Sequence, residues 1–473
     1  MKFKFILPSL AEAGTPWFRP IKYSLFPPLG LATLAAMLDP EDDAVLEDHH
    51  VMKPNLSDSP DVVVIQVYIT NARRAYRLAD HYRSLGAHVC LGGLHVTSLP
   101  DEAAAHADTI FLGPGDDTWR AFLHDLKTGK PADRYTAPAR RSLDAVPTPR
   151  RDLIRRGLYL VPNSLVVTRG CPHHCDFCYK DAFFRGGNGF YTRRVDAALR
   201  EIESLPGRHL YFLDDHLLGH ERFARELFAG MEGMGRVFQA AGTVASVLRP
   251  GLIEAAARAG LRSLFVGFEN LDENNLRDHG KVQNLGRHYN AAVRRLHDHG
   301  IMVNGSFVFG MDEDGPDVFD RTVDWAVEQG VETATFHIMT PYPGTALYQR
   351  MKEAGRMLHT DWERYDTRHT VFRPRHISPD ALERGYHRAY RRFYQWRNLF
   401  RGAAAHTSVA DGIRHFAYAA AWKKAEGLWR VLIRANQVTR ALPLLERVLA
   451  TGGKASPPTA EAGRGALGWT TKP

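Results

Sequence analysis

Three of the chain's four cysteines lie within eight residues, in the segment TRGCPHHCDFCY. Cys171, Cys175 and Cys178 form a C-x3-C-x2-C pattern directly after the apolar run SLVV. A structural zinc ion usually takes four ligands, and His173 or His174 could supply the fourth. Two adjacent histidines between the first two cysteines are, however, badly placed to reach the far side of the same ion. A cubane [4Fe–4S] cluster with three protein ligands and one open iron fits the pattern better.

The elements around this triplet predict a barrel. Residues 161–350 alternate six strand patterns with helical patterns, from SLVVTRG to TATFHIMTPYPGT. Six βα units predict a partial (β/α)6 barrel of the TIM type, whose chemistry lies at the carboxyl ends of the strands. The strand-end segments TRGC, LDD, GFEN, FGM and TPYPG are therefore expected at one rim, together with the cysteines.

Residues 1–140 show a second alternation of strand and helix patterns, in which short buried strands such as DVVVIQVYI and HVCLGG are separated by helical segments. This order predicts an α/β domain with a parallel, doubly wound sheet. We expect a linker at 141–160, a helical region at 351–450 and a disordered tail at 451–473.

Composition narrows the class of protein. With 44% hydrophobic and 24% charged residues among 473, the chain has the composition of a globular protein of two or three domains. No apolar run approaches the ~18 residues of a membrane span, and Pro8 interrupts any signal-like start. The formal charge of +8 is spread along the chain, which does not favour nucleic-acid binding. We therefore expect a cytoplasmic protein without a transmembrane segment or a nucleic-acid partner.

The triplet, with Phe177 as the aromatic residue of C-x3-C-x-aromatic-C, resembles the radical S-adenosylmethionine (SAM) superfamily. In that family SAM chelates the open iron of the [4Fe–4S] cluster, and one electron cleaves its sulfonium to give a 5′-deoxyadenosyl radical. The resemblance extends over roughly residues 160–350 and implies a SAM-binding role for one set of residues: Phe177, Asp214, Asp215, Ser246, Glu269 and Gly310. It also makes catalytic candidates of Glu269, His337 and Tyr342.

Local structural roles remain alternatives for these residues. Asp214 or Asp215 could cap the helix that follows, as aspartate often does after a strand. Asn270 replaces the hydroxyl residue that the family usually carries in this segment. His337 and Tyr342 could serve in proton transfer or only in packing.

The segments LGGLHVTSLPDE and FLGPGDDTW resemble the B12-binding domain that precedes many radical SAM cores. The domain would be Rossmann-like, of the flavodoxin type, and cobalamin contacts are implied for Gly92, Gly93, His95, Gly113 and Gly115. Two features depart from the family: GPGD stands where relatives often carry G-E-G-E, and the D-x-H-x-x-G signature is absent. Asp48 and His50 have matching spacing, but we expect His50 on the surface and Cys90 packed within its strand.

The resemblance implies cobalamin-dependent C-methylation of a small molecule in a biosynthetic pathway, with an electron donor such as flavodoxin, ferredoxin or a dedicated reductase. One alternative is a radical SAM dehydratase, epimerase or cyclase whose B12 domain binds no cobalamin. A second is a zinc-stabilised binding module without enzymatic activity.

Overall fold

The computed structural model describes residues 1–10, 13, 20–139, 142–184 and 189–450. The predicted disordered tail at 451–473 lies outside the described residues. No helix in the described part of the chain is both long and apolar enough to cross a membrane.

The amino-terminal domain is a parallel six-stranded sheet in the order β2-β1-β3-β4-β5-β6. Its strands are β1 (Lys2–Leu7), β2 (Asp43–Asp48), β3 (Val62–Gln66), β4 (His88–Gly92), β5 (Thr109–Leu112) and β6 (Arg134–Thr136). Its helices are α1 (Leu29–Ala35), α2 (Ala72–Ser84), α3 (Leu94–Ser98), α4 (Pro100–Ala104) and α5 (Trp119–Lys127). Both faces of the sheet are covered by apolar residues, which explains why its strands are apolar runs rather than alternating patterns. The predicted doubly wound domain is confirmed, although β6 was not predicted.

The second domain contains an open parallel sheet in the order β14-β13-β12-β11-β10-β7. Its strands, with a separate hairpin of β8 and β9, are β7 (Ser164–Leu165), β8 (Thr168–Gly170), β9 (Phe190–Thr192), β10 (His209–Phe212), β11 (Val237–Gly242), β12 (Leu261–Glu269), β13 (Met302–Phe309) and β14 (Thr333–Ile338). Its helices are α6 (Lys180–Phe184), α7 (Val195–Ser204), α8 (Glu221–Met231), α9 (Val244–Val247), α10 (Leu252–Ala259), α11 (Glu273–Asp278), α12 (Tyr289–Asp298) and α13 (Val318–Glu328). Consecutive strands are neighbours, so the six-unit partial barrel is confirmed. The segment predicted as one strand, SLVVTRG, is divided because β8 leaves the sheet and pairs antiparallel with β9.

The carboxyl-terminal helices cover the two open edges of this sheet. They are α14 (Ala346–Glu353), α15 (Pro379–Phe393), α16 (Trp396–Ala404), α17 (Val409–Lys424), α18 (Glu426–Arg434) and α19 (Leu442–Ala450). At the β14 edge, the hydroxyls of Tyr390 and Tyr394 accept hydrogen bonds of 3.1 Å from the backbone N–H groups of Phe336 and Ala334. At the other edge, Glu446 accepts one from the backbone N–H of His209 at 3.1 Å. The helices therefore supply partners for strand groups that a closed barrel would pair with further strands.

The segment between the domains is packed rather than extended. Ile154, Leu158 and Tyr159 are buried in the core of the amino-terminal domain. Tyr159 donates a hydrogen bond of 3.0 Å to Asp48 at the end of β2. The segment predicted as a linker therefore ties the two sheets together.

Candidate functional site

The loop between β8 and α6 presents all three clustered cysteines at the rim of the partial barrel. Cys175 is buried, whereas Cys171 and Cys178 are partly exposed. Asp176 fixes the middle of the loop: its carboxylate lies 2.9 Å from His279 Nδ1 and 2.6 Å from a guanidinium nitrogen of Arg350. The contacts of Asp176 with His279 and Arg350 thus fix the loop without using any of its three sulfur atoms.

The spacing of the three sulfur atoms distinguishes two kinds of metal site. A single tetrahedral zinc ion, with Zn–S bonds of about 2.3 Å, would hold its sulfur ligands about 3.8 Å apart. The sulfur atoms of Cys171, Cys175 and Cys178 do not all lie within 4.8 Å of one another. The three-thiolate donor set fits a [4Fe–4S] cluster with one open iron.

Two lysines supply positive charge beside these thiols. Burial raises the pKa of the Cys178 thiol to about 11, and the Lys180 ammonium opposes that rise. Burial likewise raises the pKa of Cys171, with Lys180 and Lys281 opposing it. The two ammonium groups favour the thiolate forms that bind iron.

Asp214 and Asp215, the predicted carboxylates after β10, lie in different environments. Asp214 is buried and accepts hydrogen bonds from the backbone N–H groups of Val167 and Thr168 and from the Thr168 hydroxyl. Burial raises the pKa of Asp214 to about 7, although these hydrogen bonds oppose the rise. Asp215 instead accepts from the backbone N–H of Gly170 at 3.0 Å and lies 3.3 Å from Lys180 Nζ. Asp214 therefore holds β8 in place, while Asp215 faces the site.

Glu269 occupies a strained position at the end of β12. Its φ of 64° is uncommon for a residue with a side chain, and the β12–β13 register shifts between Gly267 and Glu269. Such a bulge redirects a side chain, and here the carboxylate lies 2.5 Å from Lys281 Nζ. Burial alone would lower the pKa of Lys281, but Glu269 and the nearby cysteines raise it. A charged pair therefore lies beside the cysteine loop.

The remaining predicted barrel residues are placed as follows. The Ser246 hydroxyl donates to the Thr243 carbonyl at 2.7 Å, so it already takes part in the cap of α9. Gly310 has a φ of 94°, and a Cβ there would meet Leu382 at 2.7 Å, so the position requires glycine. Phe177 packs against the apolar cluster beneath the loop. Burial lowers the pKa of His337 to about 4, and its Nδ1 lies 3.2 Å from the Thr367 hydroxyl.

Tyr342, the third catalytic candidate, is partly buried and follows β14. Its backbone carbonyl accepts hydrogen bonds from the N–H of Thr345 at 3.1 Å and from the Thr345 hydroxyl at 2.7 Å. Tyr342 is also close enough to Tyr179 for its charge to raise the Tyr179 pKa. The residue therefore lies near the carboxyl end of the cysteine loop.

A cavity of about 290 Å³ joins the two domains at this rim. From the amino-terminal domain it is lined by Gly92 and Gly93 after β4 and by the Gly113–Asp116 turn after β5. From the barrel it is lined by residues next to the cysteines, including Arg169, Tyr179 and Asp215. This cavity therefore extends from the glycine-rich strand ends to the residues that flank the cysteine loop.

Two glycines of this cavity form tight turns in its wall. Gly93 has φ 119° and ψ −171°, a conformation that is essentially restricted to glycine, and a Cβ there would lie 2.7 Å from the Val67 carbonyl oxygen. Gly113 has φ 79°, and its Cβ would lie 2.9 Å from Ala137 Cβ. The two glycine turns form one wall of the cavity, a cradle in which an added Cβ would meet neighbouring protein atoms.

An ion pair connects the two domains beside the cavity. Two carboxylate oxygens of Asp116, the last residue of GPGD, accept from Arg169 at 2.6 and 2.8 Å. The aspartate of GPGD therefore links the amino-terminal domain to the barrel.

Three histidine and cysteine predictions of the amino-terminal domain have clear outcomes. His50 is buried, so its predicted surface position is wrong: Nδ1 lies 2.8 Å from Asp48, and Nε2 accepts from the backbone N–H of Leu10 at 3.1 Å. Cys90 is fully buried in β4, as predicted. His95 is buried with Nε2 3.0 Å from Glu102 and does not line the cavity, unlike the four glycines predicted with it.

Several residues of the site were not predicted. Lys180 follows the motif by two positions and Lys281 lies on a loop, so no strand-end pattern marked either of them. His216 directly follows the predicted LDD segment and could have been found by extending it. Its Nδ1 is buried without a hydrogen-bond partner in the described structure, and its ring stacks on His173 of the cysteine loop with centroids 5.9 Å apart.

Comparison with known families agrees with this arrangement. The radical SAM superfamily model matches residues 165–346, the B12 binding domain model matches 23–123, and a domain of unknown function, DUF4070, matches 345–441. The cysteine loop, the partial barrel and the preceding sheet define a radical SAM enzyme. The chain belongs to the radical SAM superfamily, in the branch with an amino-terminal B12-binding domain, whose cofactors are a [4Fe–4S] cluster, SAM and cobalamin.

Individual relatives extend over both domains. The chain is 29% identical over 382 residues to bacteriochlorophyllide d C-12(1)-methyltransferase of Chlorobaculum tepidum, covering 78% of this chain and 82% of that protein. It is 27% identical over 398 residues to the C-8(2)-methyltransferase of the same organism, covering 78% and 86%.

Two solved structures share the fold. TsrM from Kitasatospora setae, a radical SAM methyltransferase solved with cobalamin and a [4Fe–4S] cluster, has a TM-score of 0.66 at 16% identity and covers 92% of this chain and 99% of its own. OxsB, solved with aqua-cobalamin, has a TM-score of 0.67 at 14% identity and covers 95% and 76%. At these identities the likeness describes the fold alone.

Proposed function

We propose that this protein is a cobalamin-dependent radical SAM methyltransferase that methylates a carbon of a small molecule in a biosynthetic pathway. The observation that carries the proposal is a cavity lined both by the glycine-rich ends of β4 and β5 and by residues that flank the cysteine loop. A methyl carrier in that cavity would lie beside the place where SAM is cleaved. The two C. tepidum relatives, which align over both domains, support the same reaction class.

The residues of the site have different proposed roles according to their positions. Cys171, Cys175 and Cys178 would hold the cluster, and the glycines of the cradle would admit the corrinoid. When bound, the cluster supplies the electron that cleaves the SAM sulfonium, and cobalamin carries the methyl group. Asp215 and Lys180 provide a carboxylate and an ammonium for the charged ends of an amino-acid moiety.

Glu269 and the buried His216 and His337 would act on the substrate side of the site. The low pKa of His216, about 3, which arises from burial and the neighbouring His173, keeps its ring neutral at pH 7. A neutral imidazole with a free nitrogen can orient a ligand without adding charge. Both domains contribute walls to the cavity, so a bound corrinoid and substrate would displace water from it.

The proposal is tested with SAM labelled in its methyl group. Protein reconstituted anaerobically with iron, sulfide and cobalamin should retain about one corrinoid per chain. It should transfer the labelled methyl to product and form both 5′-deoxyadenosine and S-adenosylhomocysteine. Deoxyadenosine without S-adenosylhomocysteine, from protein that takes up no corrinoid, would instead identify a radical SAM enzyme with a different outcome.

Two cysteine variants, one at the loop and one away from it, provide the control for this experiment. The triple change of Cys171, Cys175 and Cys178 to alanine should abolish iron binding and SAM cleavage. Cys90→Ala removes the fourth cysteine, which is buried far from the loop in sequence, and should retain the cluster. Iron content and visible absorption report both results, and SAM cleavage by the triple variant would refute the mechanism.

A further inference from the structure

A second group of ligand-type side chains lies at the opposite end of the barrel from the cysteine loop. Glu332 immediately precedes β14, His297 is on α12, His406 follows α16 and His415 is on α17. The group therefore joins the sheet to one of its surrounding helices and to the carboxyl-terminal helices that cover the β14 edge. It plays no part in the proposed methylation.

The distances within the group match a tetrahedral metal site. His297 Nε2 lies 3.3 Å from Glu332 Oε2, and His406 Nε2 lies 3.6 Å from Glu332 Oε1. One ligand atom from each of these three residues lies within 4.8 Å of the others, a property that no other group of histidine, cysteine and acidic residues in the described structure shares. Zinc bound to nitrogen and oxygen at about 2.0–2.1 Å would separate its ligands by about 3.3 Å.

His415 lies beside this group and contacts His406. His415 Nδ1 lies 3.0 Å from His406 Nε2. The ring of His415 packs directly on Gly402, where a Cβ would lie 2.9 Å from its Nε2. Glycine at 402 thus allows the His415 ring to approach His406.

The charge of Glu332 needs a partner that the protein groups do not fully supply. Its side chain is about 1% exposed, and within 4.0 Å its ion-pair partners in the described structure are the imidazoles of His297 and His406. Its Oε2 accepts the backbone N–H of Val303 at 2.8 Å, but its Oε1 is buried without a hydrogen-bond partner in the same region. A buried carboxylate oxygen is costly unless it is hydrogen-bonded or coordinates a cation.

We propose that His297, Glu332 and His406 bind a divalent transition-metal ion. Two imidazoles and one carboxylate favour Zn²⁺ among the common ions. The group lies at the opposite end of the barrel from the cysteine loop, so we assign the ion a structural role. It fastens α12 and the segment after α16 to the start of β14.

The proposal is tested on the holoprotein with its cluster in place. Zinc and iron are measured per chain after dialysis, and zinc K-edge absorption distinguishes N/O ligands at about 2.0 Å from thiolate at about 2.3 Å. We expect about one zinc per chain with only N/O ligands. A chain that carries the cluster's iron but retains no zinc, or zinc bound by sulfur, would overturn the proposal.

Variants separate the metal site from general packing. Glu332→Gln and His297→Gln should each lower zinc affinity at least about tenfold while leaving the iron content unchanged. Because His297 is partly exposed, its variant should fold even if the buried Glu332 variant does not. His376→Gln alters an exposed histidine outside the group and should bind zinc as the wild type does. Equal zinc affinity in His297→Gln and the wild type would contradict the assignment.

Discussion

Lys281 and Glu269 show how single residues prepare the site. The side chains are 9% and 12% exposed, so each charge depends on the other for compensation. Glu269 holds this pair through a backbone conformation that few side chains adopt. Strain of this kind is retained where the surrounding structure and the function require it.

Replacing Lys281 by methionine should therefore destabilise the protein, by about 3 kcal/mol, because the Glu269 carboxylate would stay buried without its ammonium partner. Urea unfolding of the anaerobic holoprotein measures the change. The double variant Lys281→Met/Glu269→Gln should recover part of the loss, and Lys352→Met on exposed α14 should change stability little. Additive effects of the two single changes would show that the pair is not coupled.

Asp214 gives a prediction about pH. Its pKa is raised from 3.8 to about 7 in the folded protein, so between these values the folded state binds more protons than the unfolded state. Stability should therefore fall as pH rises through this window, by at most roughly 1.4 kcal/mol per pH unit. An asparagine side chain cannot ionise, so the Asp214→Asn substitution should flatten the profile. Thermal unfolding at several pH values compares the two proteins, and identical slopes would contradict the raised pKa.

At the scale of elements, the turns from strands into helices shape the wall of the cavity. The turn from β4 into α3 brings the backbone of Gly93 against Val67 after β3, and no other residue type fits there. The end of β5 presents a second glycine turn on the same side. The cradle is thus built from strand ends and turns rather than from long side chains.

Gly93→Ala should distort this corner because the new Cβ would meet the Val67 carbonyl and the backbone would be forced into a conformation that alanine avoids. We expect a loss of about 3 kcal/mol and weaker corrinoid retention. Gly86→Ala is the matched control: its φ is 85°, but nothing lies within 4 Å of the added Cβ. It should cost about 1 kcal/mol and leave corrinoid retention unchanged. Equal corrinoid loss in both variants would count against a cradle at β4.

At the scale of the whole molecule, the site exists only because two sheets meet. Asp116 and Arg169 come from different domains, and Tyr159 in the connecting segment reaches back to Asp48. The carboxyl-terminal helices complete the open barrel in a similar way, by supplying hydrogen-bond partners at both edges of its sheet. The rim therefore depends on contacts between parts of the chain that are distant in sequence.

Arg169→Met should weaken the contact between the domains beside the cavity. We expect corrinoid affinity to fall about tenfold, which corresponds to about 1.4 kcal/mol, while iron content stays constant. Arg134→Met removes an exposed ion pair with Asp101 within the amino-terminal domain and should have little effect. Equilibrium titration with cobalamin measures both variants. Unchanged affinity in Arg169→Met would show that the interdomain pair does not shape the site.

The sequence by itself determined the cysteine motif, the two α/β alternations and the strand ends that carry Asp215, Glu269 and the cavity glycines. These features are local, because hydrophobic periodicity and short motifs are properties of neighbouring residues. Only the tertiary structure decided that Asp214 points into the protein, that His50 is buried, and that Lys281 and Arg169 complete the site. Only the tertiary structure, too, brought His297, Glu332, His406 and His415 close together. Burial and charge pairing depend on what lies across the fold, and spacing along one chain does not encode them.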